Sequence, residues 1–171
     1  DDMRITGKRH AYQTDYRVAF NNDGRLIAGQ MAFYSNGGAF ADLSTSVMER
    51  TMLHADNAYH VPMLRVTGQV CRTNLPPNTA FRGFGGPQGV AIIESLLEDI
   101  ARVVGRDAFD VRRANLYRDG DDSRNVTHYG QIVRDHVMDE TFDRLAASSS
   151  YRHRVIKVAE FNAASRTHMK G

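Results

Sequence analysis

One cysteine, Cys71, is too few for an internal disulfide or for a zinc or iron–sulfur site built from cysteines. Its expected place is that of a small buried residue in a strand. No apolar run approaches the roughly 20 residues that span a bilayer. No charged-then-apolar N-terminus resembles a signal peptide, so the expected setting is soluble and cytoplasmic, with no membrane partner. An excess of charge of either sign is also lacking. With 22 Lys+Arg against 20 Asp+Glu, the net charge of +2 is too small to imply nucleic acid as a partner. Internal repeats and low-complexity tracts are absent. The seven histidines contain no His-Glu-x-x-His. His54, Asp56 and His60 come nearest to a metal set and read instead as a helix end and a solvated loop. No Ser-His-Asp or Cys-His arrangement emerges, so the residues supply no visible general base.

The sequence that remains is that of a globular chain, 42% hydrophobic and 25% charged, long enough for one compact unit with a core. It opens on Asp1-Asp2 without an initiator methionine and is read as a single segment, 1–171, cut from a longer polypeptide. Residues 11–20 alternate, with Tyr12, Tyr16, Val18 and Phe20 able to share a face. Asn21-Asn22-Asp23-Gly24 is turn chemistry, and residues 25–34 resume the alternation, which predicts a β-hairpin ended by Gly37-Gly38. Asp42 or Ser44 can cap a helix to about residue 56, with Leu43, Val47, Met48, Met52 and Leu53 as its apolar stripe. Residues 62–73 alternate again, with Leu64, Val66 and Val70 on one side of a strand. Val90, Ile92, Ile93, Leu96, Leu97 and Ile100 predict a helix over 87–104, stopped by Gly105. Asp107 caps a short helix to about residue 117, residues 118–131 form a polar loop, and two helices follow over 133–148 and 150–164. Strands first and helices later make the fold class α+β.

The chemistry converges on Thr79-Ala80-Phe81-Arg82-Gly83-Phe84-Gly85-Gly86-Pro87-Gln88. Three glycines in four positions leave the backbone nearly bare, and Pro87 suits the first turn of the helix that follows. Such a junction favours anions, because its N–H groups and the positive end of the helix dipole point the same way, and Arg82 adds a forked cation. Phe81 and Phe84 offer rings against which a planar ligand can lie. Arg82-Gly83-Phe84-Gly85 also opens like an RNA-recognition signature, but Gly86-Pro87 then starts a helix where that motif needs a strand. The spacing of Gly83, Gly85 and Gly86 fails the dinucleotide fingerprint. A glycine turn with no ligand is the bland alternative. Glu94 and Glu98, four apart, and Arg106, Arg112 and Arg113 read as solvated surface.

Met48-Glu49-Arg50, His54-Ala55-Asp56-Asn57-Ala58-Tyr59, the run from Thr73-Asn74-Leu75-Pro76-Pro77-Asn78 through the glycine stretch to Gly89, and Val111-Arg112-Arg113-Ala114-Asn115-Leu116-Tyr117 resemble the molybdopterin-binding part of the xanthine dehydrogenase/oxidase family. The opening Met3-Arg4-Ile5-Thr6-Gly7-Lys8-Arg9-His10 and Ser148-Ser149-Ser150-Tyr151 extend the likeness over nearly the whole chain. Ala11 departs from the proline that the family commonly carries. The resemblance implies a fragment of the large subunit or domain of a molybdenum hydroxylase that oxidises hypoxanthine and xanthine. By that likeness Arg82, with Phe81, Gly83, Gly85 and Gly86, shapes the molybdenum–molybdopterin pocket without a direct side-chain ligand to the metal. Phe84 stacks on the purine, and Arg50 contacts the substrate and stabilises its transition-state charge. The same likeness places 2Fe-2S clusters, FAD and the reaction with NAD in other parts of the enzyme, a full homo-oligomer around them, and the glutamates of the reaction beyond both ends of this chain. The fragment alone is expected to be inactive. A sister hydroxylase acting on aldehydes or other heterocycles, or a non-catalytic module binding through the loop 119–131, stands as the alternative.

Overall fold

A computed structural model describes residues 1–120 and 124–171; positions 121–123 of the predicted polar loop lie outside the described residues. After a short helix, α1 (Asp2–Ile5), the chain runs β1 (Tyr12–Phe20), β2 (Leu26–Gly38), α2 (Ser44–Leu53), β3 (Met63–Arg72), α3 (Gly86–Val104), α4 (Ala108–Asn115), α5 (Met138–Ser148) and α6 (Tyr151–Ala164). The class is α+β. Two compact units divide the chain, Asp1–Asp135 and His136–Gly171.

The hairpin forms because Asn21 builds its turn. Its Oδ1 accepts from the backbone N–H of Asp23 at 3.0 Å and of Arg25 at 2.9 Å, and Gly24 takes φ +77°. β1 and β2 are antiparallel, with Tyr12 opposite Ser35 and Tyr16 opposite Met31. β3 then pairs with the far edge of β2 in parallel, Met31 beside Val66 and Ser35 beside Val70, so α2 is a crossover between parallel neighbours. Alternation along 62–73 reveals the strand but not this direction.

One face of the sheet is covered. Met31 and Phe33 of β2, Val47 and Met48 of α2, and Ile93, Leu96, Leu97 and Ile100 of α3 are buried. Gly68 faces α2 so closely that a Cβ there would stand 2.5 Å from the Met48 sulfur. Leu64, Val66 and Val70 share that side, whereas Cys71 is exposed. The expectation of a buried cysteine fails by one position, since the period of two sends its side chain to the other face.

Polar groups join the elements behind the sheet. The buried Asn115 side chain accepts from Leu26 N–H at 2.8 Å and donates to the carbonyls of Gly24 at 2.9 Å and Val111 at 2.8 Å. Glu94 and Glu98 are more than a solvated face. Glu94 accepts from Arg112 Nε at 2.7 Å and from the Tyr59 hydroxyl at 2.6 Å, and Arg112 also reaches Glu98 at 3.2 Å. Burial first, and then the Glu94 carboxylate, push the Tyr59 phenol well above its ordinary 10. Asp56, expected in a solvated loop, is buried; its Oδ2 accepts from the Tyr117 hydroxyl at 2.7 Å and lies 2.8 Å from His128 Nδ1. These partners hold it from 61 and 72 residues away. Among the described residues no cluster of His, Cys, Asp and Glu could hold a metal, and no helix is long and apolar enough to cross a membrane.

The second unit is a pair of helices. α5 starts at Met138, later than the predicted 133, because Val133 N–H is bonded to the Asn125 carbonyl at 2.6 Å and Asp135 takes φ +54°. α6 is entered through Ser150 at φ +51°. Lys170 returns over the Phe161 ring at 4.0 Å.

Replacing Asn115 by Ala strands the buried Leu26 N–H and removes the side-chain donor from the Gly24 carbonyl, and is expected to destabilise the first unit by about 2 kcal/mol. Urea denaturation measures this; a loss under about 1 kcal/mol contradicts the bridging role.

Candidate functional site

The glycine stretch folds as two overlapping turns. Phe84 N–H donates to the Phe81 carbonyl at 2.7 Å, and Gly86 N–H to the Gly83 carbonyl at 2.9 Å. Gly83, Phe84 and Gly85 all take positive φ, +89°, +49° and +94°. For Phe84, an L residue with a Cβ, this costs roughly 1–2 kcal/mol that the surroundings must offset. They do so by close packing. A Cβ on Gly85 would overlap the Val47 carbonyl oxygen and lie 2.7 Å from Thr51 Oγ1. One on Gly89 would lie 2.5 Å from the Thr51 carbonyl oxygen. The first turn of α3 is therefore seated on the backbone of α2.

Thr51 fills the seam. Its hydroxyl is 3.0 Å from the carbonyls of both Val47 and Gly85, which takes up its one hydrogen, so the Tyr12 hydroxyl at 2.9 Å is the donor to it. The His54 ring packs on Gly86 while its Nδ1 bonds the Arg50 carbonyl at 3.0 Å. On the other side, Arg9 Nη2 donates to the Arg82 carbonyl at 2.6 Å, and its guanidinium lies 4.5 Å from the centre of the Phe81 ring. Lys8 C=O accepts from Thr79 N–H at 3.1 Å, and His10 Nε2 shares a 2.7 Å hydrogen bond with Ser44 Oγ at the start of α2. Upstream, Asn78 is tied to the end of β2 through Nδ2 to the Asn36 carbonyl at 2.9 Å.

This packing places the residues expected to carry function. Gly85 and Gly86 are buried, Phe84 is half-buried, and Phe81, Arg82 and Gly83 are exposed. Arg50 is exposed on α2, on the helical face of Val47, Thr51 and His54 that receives Gly85, Gly86 and Gly89. Among the described residues neither the Arg50 nor the Arg82 guanidinium has a hydrogen-bond or ion-pair partner, in contrast to Arg112 between Glu94 and Glu98. The anion-binding expectation for the backbone becomes narrower. The N–H groups of Phe84, Gly86, Gln88 and Gly89 are bonded within the junction, and those of Arg82, Gly83 and Gly85 have no acceptor among the described residues. Successive N–H groups in left-handed turns are anion-receptive. Two buried polar atoms beside this wall, Arg9 Nη1 and Gln88 Oε1, also lack partners among the described residues.

The site is an open wall. A cavity of about 570 Å³ occurs in the second unit, lined by Tyr151, Val155, Val158 and Ala159 among others, and includes none of these residues. Sequence reasoning missed Arg9, Tyr12, Thr51 and His54 as supports of the loop. The only local signal was the placement of Arg9 and His10 just before the first strand, because their partners are 73 and 34 residues away.

Residues 1–116 match the family model of the molybdopterin cofactor-binding domain. The whole chain is 47% identical to a xanthine dehydrogenase of Drosophila subobscura, and 95% of it is 46% identical to a xanthine dehydrogenase/oxidase of Mus musculus. In both cases it spans 12% of the relative's length. In fold it is similar to the aldehyde oxidoreductase of Desulfovibrio desulfuricans, with a TM-score of 0.83 at 28% identity over 94% of this chain and 17% of that one.

Thr51→Val keeps the shape of the seam and leaves the Gly85 carbonyl to the N–H groups of Gln88 and Gly89, but removes the acceptor of the Tyr12 hydroxyl, and is expected to cost about 1 kcal/mol in urea denaturation. An unchanged midpoint contradicts the role given to Thr51. Burial, partly opposed by the Asp42 charge, holds His10 below its ordinary 6.5. The unfolded chain thus binds a proton that the folded chain refuses, and stability falls as pH drops from about 6.5 toward the folded value. His10→Gln should flatten that part of the stability profile; an identical slope in the variant contradicts the assignment.

Proposed function

Because this chain belongs to the molybdopterin cofactor-binding domain family, we propose that it forms one wall of the active site of a purine-oxidising molybdenum hydroxylase. The observation that carries the proposal is the seating of the glycine turn on α2. It gathers the N–H groups of Arg82, Gly83 and Gly85 and the Arg82 guanidinium, none with a partner among the described residues, beside the face that carries Arg50. The likeness to xanthine dehydrogenases at 46–47% identity supports the purine as substrate class.

The residues present fit the cofactor. The turn is bare where a Cβ would close it, its free donors suit an anionic group, and two orphaned polar atoms flank it. Molybdenum–molybdopterin, when bound, supplies the two-electron oxidation and the transfer of oxygen. Arg82, Gly83 and Gly85 would hold it through N–H groups, with Arg82 adding charge and Phe81 and Gly86 shaping the wall; no side chain of this set ligates the metal. The Phe84 ring, fixed by its strained backbone, is the platform on which the flat purine lies. Arg50 answers the negative charge that builds on the far carbonyl oxygen of the purine during the reaction. A cation placed there binds the transition state better than the ground state.

The 2Fe-2S clusters, FAD and NAD would act in remaining domains or subunits of a cytoplasmic homo-oligomer, and this chain alone would be inactive. The fold likeness to an aldehyde oxidoreductase keeps aldehydes as the second reading. Arg50, exposed and without a partner among the described residues, argues against it, since an aldehyde offers no remote carbonyl for the charge.

In the complete protein, Arg50→Met is expected to lower kcat for xanthine by about 10²–10³ with molybdenum content unchanged. Normal xanthine turnover in that variant, or faster turnover of aldehydes than of purines in the wild type, would sink the purine assignment. Arg82→Met is expected to lower molybdenum content itself; full content and activity count against its role.

A further inference from the structure

Arg9 lies outside the glycine stretch and holds it from two directions. Nη2 donates to the Arg82 carbonyl at 2.6 Å, and Cζ of the same guanidinium lies over the Phe81 ring, 4.5 Å from its centre. The hydrogen bond lands on the carbonyl directly before three consecutive left-handed residues, where an unsupported chain would relax toward ordinary φ. Arg9 is itself fixed on both sides. Lys8 is bonded to Thr79, and His10 to Ser44 at the start of α2. Gly7 presses so closely on the loop that a Cβ would stand 2.7 Å from Thr79 Cγ2. The segment before β1 is thus a brace running from α2 to the loop, with Arg9 between its two anchors. Arg9 Nη1 is buried with no acceptor among the described residues, so a further donor of the same group remains unspent at the wall.

We propose that Arg9 is a positioning residue of the cofactor wall, which sets Phe81 and Arg82 and keeps the turn at 83–85 in its left-handed form before any ligand arrives. Its relation to the cofactor rests on the function proposed above; its hold on the loop does not. A flat guanidinium can donate to the carbonyl and stack on the ring at once, and an ammonium reproduces only part of this.

The test uses the complete protein carrying Arg9→Met and, separately, Arg9→Lys. Hydrogen exchange is read by mass spectrometry on peptides covering 81–89, together with molybdenum per chain. The amides of Phe84 and Gly86 close the two turns, so they report directly on the loop. In Arg9→Met they are expected to exchange about tenfold faster or more. Peptides from β1, β2 and the second half of α3 should keep wild-type rates, and molybdenum content should fall below half. Arg9→Lys should recover part of both. A general loss of stability would instead speed exchange everywhere together, and that pattern overturns the proposal, as does wild-type exchange at Phe84 and Gly86 in Arg9→Met. If Arg9→Met does not accumulate folded, Arg9→Lys decides by the same reading. A wild-type protein without molybdenum contradicts the function proposed above, while the exchange rates still judge Arg9.

Discussion

The backbone of the first turn of α3 lies directly on the backbone of α2, and the site depends on that closeness. At Gly85 and Gly89 a single added carbon would strike a carbonyl of α2. The helices can approach this far because no side chain intervenes, and the polar groups they bring together are answered by one hydroxyl, that of Thr51, with Tyr12 of the sheet behind it. In the core, Val47 and Met48 of α2 and Ile93 and Leu97 of α3 are all buried. A shift of either helix would expose Thr51, misplace the turn and move Arg50 away from it. Fold stability and site geometry are therefore one problem here.

Strain is stored at the top of that contact. Phe84 is a bulky residue in a conformation that favours glycine, between two glycines in the same region. The turn survives because hydrogen bonds close it from within, α2 blocks it from below, and the segment before β1 braces it from the side. A loop so constrained pays little entropy when a ligand binds, which is the physical content of preorganisation. The donors left unspent in it are those a bound anion can use.

Much of this was legible in the sequence. Alternation located the three strands, the spacing of Ile93, Leu96, Leu97 and Ile100 located α3, and Asp107 does cap α4, its Oδ1 accepting from Phe109 N–H at 2.8 Å. The glycine stretch advertised a bare backbone before a helix. Local patterns could not say who meets whom. A period of two assigns faces and not neighbours, so it puts Cys71 opposite Leu64, Val66 and Val70 but leaves the parallel pairing of β3 beyond it. Asp56 reads as polar and solvated until Tyr117 and His128 come back to it. Arg9 is one charge in a basic opening run until the fold carries residues 81 and 82 beneath it. The resemblance carried in Arg50, Arg82 and Phe84 supplied roles that spacing alone does not contain.

The central claim, that the turn on α2 is the wall of a molybdopterin site, is tested most directly on the native protein purified from its source. Molybdenum is measured by elemental mass spectrometry, and pterin by its fluorescence after release, in the same sample. The account predicts both, in equal amounts and stoichiometric with the polypeptide. A native protein carrying neither metal nor pterin would contradict it and leave the turn as scaffold alone.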